Sequence, residues 1–378
     1  MKNMKIIILV QFAKKTGGMM QSLWSLVNGL SKDPFFDVHI IMPNGADFCD
    51  RPFEGEVTTY YTKTSSWTIN KSKIFETFKV ACDIYKQTKH LLPDAVFMSN
   101  DVGGSILISL FPTFKKNNEV YVCRGGNFHG QGLGGWFMRN KIRFNGVKHV
   151  VVTANHLLNM VKEFNKSVDV RIIHNGLSLP ECEYKYQNID TASLRISTIG
   201  YIRDDKNQRE GVHVIKHLRK NGINAVLNVW GEAGCKSDQK YLDYLKDYIE
   251  KQGLKEFVNF KGFVKGEQIF QETDILISFS RSEGFGRTLV EGMLRHKPVI
   301  AWRGAGGPID ITDDGKYCHL VDNNDYTDYC AVIRKIIDNQ DYNKANVEDS
   351  YAYALDNFTE SRMIDNYREY LKNIHKTI

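Results

Sequence analysis

Two glutamates with seven residues between them bracket a glycine-rich run, Ser280-Arg-Ser-Glu283-Gly284-Phe285-Gly286-Arg287-Thr288-Leu289-Val-Glu291. The apolar stretch 275–279 just before it reads as a buried strand. Gly284 and Gly286 permit a tight turn from that strand into a helix. Such a turn aims backbone N–H groups at whatever sits ahead of the helix, a natural place for an anion. Carboxylates repel phosphate, so Glu283 and Glu291 suit hydroxyl groups instead. One assignment gives sugar hydroxyls to Glu283 and ribose hydroxyls to Glu291. The bland alternative for Glu291 alone is a solvated glutamate on a capped helix.

Elements that could position these residues recur along the whole chain. Strand-like runs fall at 5–10, 38–42, 57–61, 95–99, 119–123, 149–153 and 170–174, then at 194–198, 225–230, 257–260, 275–279, 298–301 and 318–321. Helical patterns lie between them, at 18–30, 72–91, 102–111 and 155–164, then at 208–220, 238–252, 287–295, 326–339, 344–355 and 360–374. This alternation argues for α/β architecture, with parallel sheets covered by helices on both faces. The polar stretch 178–192, with Pro180, reads as the hinge between two such domains. Two doubly wound sheets imply a ligand held between them at their carboxyl edges.

The 378 residues are 42% apolar and 25% charged, the profile of a folded globular chain of about two domains. No run approaches the ~18 apolar residues of a spanning helix, and no signal peptide is expected. Seven cysteines include no CxxC pair, so neither a disulfide framework nor a zinc site is expected. Eleven histidines show no HExxH or HxH pairing, and no catalytic metal is expected. These features suit a reduced, cytoplasmic setting. Residues 1–185 carry 23 Lys and Arg against 15 Asp and Glu, whereas residues 186–378 carry 27 against 29. The basic first half suggests an anionic partner there. The GxGxxG pattern at 130–135 lacks the acid expected about 20 residues on, so it is not read as a dinucleotide site. The run 231–237 has the wrong spacing for a phosphate loop.

The Glu283-to-Glu291 segment closely resembles the Glu-x7-Glu motif of retaining nucleotide-sugar glycosyltransferases of the GT-B fold, family four. Lys297-Pro-Val-Ile-Ala, Gly306-Gly-Pro and Asp314-Gly follow in that family's order. Phe257-Val-Asn-Phe-Lys-Gly262-Phe263-Val264 is similar to its V-x-F-x-G strand, whose loop lies by the base. Ile172-Ile-His-Asn175-Gly176 resembles the close of its first domain, and Gly17-Gly18 its phosphate-side glycine pair. Phe358-Thr-Glu to Tyr367 resembles its terminal helix, which crosses back to the first domain. The resemblance is strongest from about 194 to 321.

It implies a GT-B architecture of two Rossmann-like domains facing across a cleft. Residues 1–180 would bind acceptor, 190–358 the nucleotide-sugar, and helix 359–378 would return to the first domain. In Gly200-Tyr-Ile-Arg203-Asp-Asp-Lys206-Asn207, Lys206 matches the family's lysine. The arginine expected directly after the glycine is Tyr201, so Arg203 would substitute for it. Two cations there would neutralise a departing nucleoside diphosphate. The plain alternative for Arg203 is an ion pair with Asp204 or Asp205. Arg124 occupies the place of a family histidine, with His129 five residues on; either could meet the donor sugar, though Arg124 stays protonated and cannot act as a base. Gly17, Gly18, Gly200, Asn207, Gly262, Phe263, Val264, Gly284, Phe285, Gly286, Arg287, Thr288, Leu289 and Glu291 would line the donor.

The acceptor side is less distinct. Residues 134–144 carry Arg139, Lys141 and Arg143 among three aromatics without an acid, and 71–89 adds five lysines. That mixture suits an anionic membrane surface, with no nucleic acid expected. The combined expectation is a metal- and cofactor-free retaining glycosyltransferase, peripheral on the membrane's cytoplasmic face. It would move a sugar from a nucleotide-sugar donor, with a UDP-sugar expected, to a saccharide or lipid-linked acceptor of a cell-surface polysaccharide such as O-antigen, capsule or lipopolysaccharide. The rivals are a GT-B-like sugar-nucleotide epimerase and a non-catalytic two-domain sugar-binding protein.

Overall fold

The structure, a computed structural model, describes residues 4–10, 18–46, 52–65, 67, 74–92, 94–100, 102–111, 119–125, 133–264 and 266–376. The chain divides into two compact units, residues 1–176 with 360–378, and residues 177–359.

In the first unit the strands are β1 (Met4–Leu9), β2 (Phe36–Met42), β3 (Val57–Tyr61), β4 (Val96–Ser99), β5 (Glu119–Cys123), β6 (His149–Val152) and β7 (Asp169–Ile172). They form one seven-stranded sheet in the order β3-β2-β1-β4-β5-β6-β7, every pair parallel. The central strands are buried on both faces, which is why β1 reads as a continuous apolar run and not an alternating one. The helices are α1 (Gly18–Ser31), α2 (Ile74–Thr88), α3 (Val102–Ser109), α4 (Leu133–Arg143), α5 (Asn155–Phe164) and, from the far end of the chain, α13 (Glu360–His375). Helix α1 is buried almost all round because α13 packs on its outer side. A side chain at Gly29 would sit 2.3 Å from Ile364, so the close approach of α1 and α13 depends on that glycine.

The second unit repeats the plan. Its strands β8 (Leu194–Ile199), β9 (Ala225–Trp230), β10 (Val258–Gly262), β11 (Ile275–Ser278), β12 (Val299–Trp302) and β13 (His319–Val321) form a six-stranded parallel sheet in the order β10-β9-β8-β11-β12-β13. Around it lie α6 (Gln208–Lys220), α7 (Lys236–Lys251), α8 (Gln268–Gln271), α9 (Arg287–Met293), α10 (Gly307–Ile311), α11 (Tyr326–Asp338) and α12 (Gln340–Asn357). Leu194, Ile196, Leu227, Ile275, Ile277 and Phe279 fill the core from the sheet side, against Val214, Ile215 and Leu218 of α6 and Tyr329 and Ile333 of α11.

Every strand expected from the sequence is present within a residue or two. Helix α4 was not expected, because Gly134-Gly135 is unfavourable in a helix; burial of Met138 and Ile142 outweighs the cost of about 1 kcal/mol per glycine. The polar stretch 178–192 lies along the second unit. The Tyr184 hydroxyl donates to Glu267 at 2.6 Å, and the main chain of Ile189 exchanges two hydrogen bonds with the Gln340 side chain at 2.7 and 2.9 Å.

Candidate active site

In the second sheet the strand order reverses direction between β8 and β11. In an open α/β sheet the crevice at such a point, at the carboxyl ends of the strands, is where ligands bind. The two turns that leave β8 and β11 carry the residues singled out above.

After β8 the chain passes Gly200, makes a single 3-10 turn over Asp204–Lys206, and enters α6 through Asn207. Asn207 is left-handed, with φ 52°. Gly200, Gly231 and Gly262 end three neighbouring strands, with φ of 142°, 137° and 70°. A side chain on Gly231 would lie 1.9 Å from the Gly200 carbonyl oxygen. Backbone therefore packs on backbone here: Gly200 N–H donates to Trp230 O at 2.9 Å and Gly231 N–H to Gly262 O at 2.8 Å. The result is a glycine floor of packed backbone beside the Lys206 turn.

After β11 the chain runs through Ser280 to Gly286, which has φ 103°, into α9. Glu283 is fixed through its main chain: its N–H donates to Ala305 O at 2.8 Å and its carbonyl accepts from Gly307 N–H at 3.0 Å. Its side chain forms an ion pair with the Lys206 ammonium, and the two are only 15% and 18% exposed. The structure thus brings together a cation and a carboxylate 77 residues apart in sequence.

The other expected residues fall into distinct places. Arg203 pairs with Asp205 at 2.6 Å, both side chains being partly exposed. Glu291 lies on α9 with Arg287 Nη2 at 3.9 Å. Burial pushes its carboxyl above the usual range, while Arg287 and Arg295 pull it back. The Phe285 side chain is buried against Phe358, ring centroids 5.7 Å apart. Leu289 is fully buried and its N–H donates to Gly286 O. The side chains of Phe285 and Leu289 therefore belong to the core, not to a ligand-lining surface. Thr288 is partly exposed, Val264 is half-buried, and Phe263 is exposed with its N–H directed at Glu232.

Two residues of this site were not anticipated. Arg281 ties the turn after β11 to the turn after β8, donating to Asp205 O, Asp204 and Asn207. Arg295 clamps the end of α9: it is bidentate to Glu267 at 2.7 Å on both arms and donates to the Glu291 carbonyl at 3.1 Å. The one available signal was an arginine two residues before Glu283 and another four residues after Glu291, which local spacing cannot assign to a partner.

In the first unit Gly18 opens α1, and Gly17 and His129 lie outside the described residues. Arg124, just after β5, donates from Nη1 to the Asn175 side chain at 2.5 Å, while its Nε and Nη2 are buried with no hydrogen-bond partner among the described residues. Burial lowers the Arg124 pKa, and nearby Tyr367 opposes that shift. Lys141 departs from the surface role expected of it. Its ammonium is buried on Glu119 at 2.5 Å, with Ser105 Oγ at 2.8 Å and Ser109 Oγ at 2.7 Å. The reason is Glu119, fully buried on β5, which needs a counter-charge. Phe75 and Phe78 of α2, Trp136 of α4 and Phe144 just after it are exposed. No described helix is long and apolar enough to cross a membrane.

Residues 184–353 match the family model for glycosyl transferases group 1. The matched segment holds both turns of the site. A poly(ribitol-phosphate) alpha-N-acetylglucosaminyltransferase of Staphylococcus aureus is 29% identical over 205 residues, 54% of this chain and 39% of that protein. The chain thus spans about two fifths of that relative's length. An uncharacterized 41.2 kDa protein in the cps region of Klebsiella pneumoniae is 24% identical, across 92% of this chain and 96% of that one. The solved structure of Anabaena Alr3699/HepE in complex with UDP and glucose superimposes with a TM-score of 0.75 at 18% identity, covering 98% and 100% of the two chains. The fold is shared with GT-B glycosyltransferases.

Proposed function

We propose that the chain is a glycosyltransferase that uses the second unit to hold a nucleotide-sugar, a UDP-sugar in this reading. The observation that carries this reading is the meeting of Lys206 and Glu283 at the switch point of the second sheet, beside the glycine floor. A diphosphate brought to that edge meets one ammonium and a backbone surface it can approach closely. The ammonium stabilises the charge that develops on the leaving phosphate when the glycosidic bond breaks. Glu283 then serves sugar hydroxyls and Glu291 ribose hydroxyls. The group 1 match and the UDP complex of the Anabaena structure support the donor class. The retaining outcome rests on the Glu-x7-Glu resemblance.

The acceptor belongs to the first unit in this reading. The Staphylococcus relative acts, by its name, on a poly(ribitol-phosphate), which favours a saccharide or related polymer as acceptor. The exposed aromatics of α2 and α4, with Lys79, Lys86, Lys89 and Arg143, suit an anionic membrane carrying a lipid-linked saccharide. No metal or cofactor is assigned a step.

Thermal unfolding with UDP, GDP, ADP, CMP and NAD tests the reading. A ligand at 100 times its Kd stabilises by about 2.7 kcal/mol, a shift of several degrees for a unit of this size. A shift with UDP and none with NAD is expected. No shift with any nucleoside diphosphate would overturn the donor assignment and favour a sugar-binding protein.

A further inference from the structure

The turns after β8 and β11 extend beyond the sheet edge, where no strand ladder holds them to each other. Chain geometry alone therefore does not fix the distance between Lys206 and Glu283. Besides the Lys206–Glu283 ion pair itself, Arg281 ties the two turns. Its backbone N–H donates to Asp205 O at 2.8 Å. Its Nη1 reaches Asp204 Oδ2 at 3.1 Å, and its Nη2 reaches Asn207 Oδ1 at 3.0 Å. The three partners are the residues immediately around Lys206. Asn207 stands in a left-handed conformation and enters α6 without capping it through its side chain, so its side-chain oxygen is available to this contact.

We propose that Arg281 is a positioning residue that locks the Lys206 turn against the Glu283 turn, fixing where the Lys206 ammonium meets a nucleoside diphosphate. The proposal rests on the reading of Lys206 given above. Arg281 and Asp204 are 44% and 77% exposed. A pair so open to solvent contributes little to stability. The two-point grip of its side chain, added to a backbone bond that any residue could make, is therefore better explained by placement of the neighbouring cation. Loss of the grip lets the Lys206 turn wander, and misplacement of a binding group by about 1 Å is enough to cost a large factor.

Because Arg281 acts through Lys206, the two residues must be coupled. The experiment is a double-mutant cycle read by calorimetric titration with UDP on the full chain: wild type, Arg281→Ala, Lys206→Ala and the double variant. Arg281→Ala is expected to weaken UDP by about tenfold, within the range that such couplings span. In the Lys206→Ala background the same change should alter affinity less than about twofold. Arg281→Lys, which keeps one contact of the fork, should fall between wild type and Arg281→Ala. Thermal midpoints should stay within about 2 °C of their parents, as for an exposed pair. Asp204→Ala removes one arm from the opposite side and should give a smaller loss with the same coupling, so the cycle does not depend on one variant folding. Equal effects of Arg281→Ala with and without Lys206 would overturn the proposal, since Arg281 would then act on its own. Unchanged affinity in Arg281→Ala would overturn it as well. If Lys206→Ala itself left UDP binding intact, the phosphate role of Lys206 would fall and the positioning role with it; a weakened Lys206→Ala beside a normal Arg281→Ala sinks the positioning role alone.

Discussion

Replacing Glu283 by glutamine should tighten the binding of bare UDP while slowing sugar transfer. In the structure the Lys206 ammonium is neutralised by Glu283. A diphosphate must compete with that carboxylate for the cation, and it also meets the carboxylate's own negative charge. Both effects oppose binding, and both vanish in Glu283→Gln. Exposed ion pairs contribute about 0–1 kcal/mol, while breaking a fully buried pair costs about 3–5 kcal/mol. With 15% and 18% exposure this pair falls between. A release of about 1–2 kcal/mol is reasonable, and at 1.36 kcal/mol per decade it corresponds to about 5–30-fold tighter UDP. On the proposed reading the sugar loses its carboxylate partner, so release of UDP from a UDP-sugar donor should slow. Calorimetry with UDP and a UDP-release assay across a panel of UDP-sugars read the two effects separately. The opposite signs are the test. UDP binding that is unchanged or weaker in Glu283→Gln would refute the competition for Lys206.

Three further outcomes are expected. Gly231→Ala places a methyl group into the Gly200 carbonyl at a φ of 137°, and should cost about 2–4 kcal/mol, seen as a thermal midpoint about 6–15 °C lower. Lys141→Met leaves Glu119 buried and unpaired and should cost about 3–5 kcal/mol, whereas pairing it with Glu119→Leu should recover most of that in chemical denaturation. His319 is held below its usual pKa of 6.5, chiefly by burial, so the unfolded chain binds its proton more readily than the folded one. Stability should therefore fall as pH drops below about 6.5, and His319→Asn should flatten that part of a midpoint-against-pH curve.

The strands and most helices were legible because their signals are local. β1 is apolar at nearly every position since both faces of its sheet are covered, and α6 shows its buried Val214, Ile215 and Leu218 at helical spacing. The Glu283–Glu291 segment was legible for the same reason: strand, glycines and helix are contiguous in the chain. Helix α4 escaped because its two glycines mask a helix that only packing of Met138 and Ile142 sustains.

Tertiary structure decided which charges meet. Composition counted Lys141 as one more basic residue near aromatics; the fold gives it to Glu119, 22 residues back, and removes it from the surface. Arg203 had both Asp204 and Asp205 within two residues in sequence, and the turn geometry selected Asp205. Lys206 and Glu283 could each be marked as chemically suggestive from sequence. Their pairing, and the grip of Arg281 on the Lys206 turn, required β8 and β11 to become neighbours at the point where the strand order reverses. That adjacency arises from crossover connections spanning dozens of residues, and electrostatic contacts form only between groups such connections bring within a few ångströms. The sequence by itself determined the elements and the kinds of groups at their ends; the order of strands in the second sheet decided which of those groups share a site.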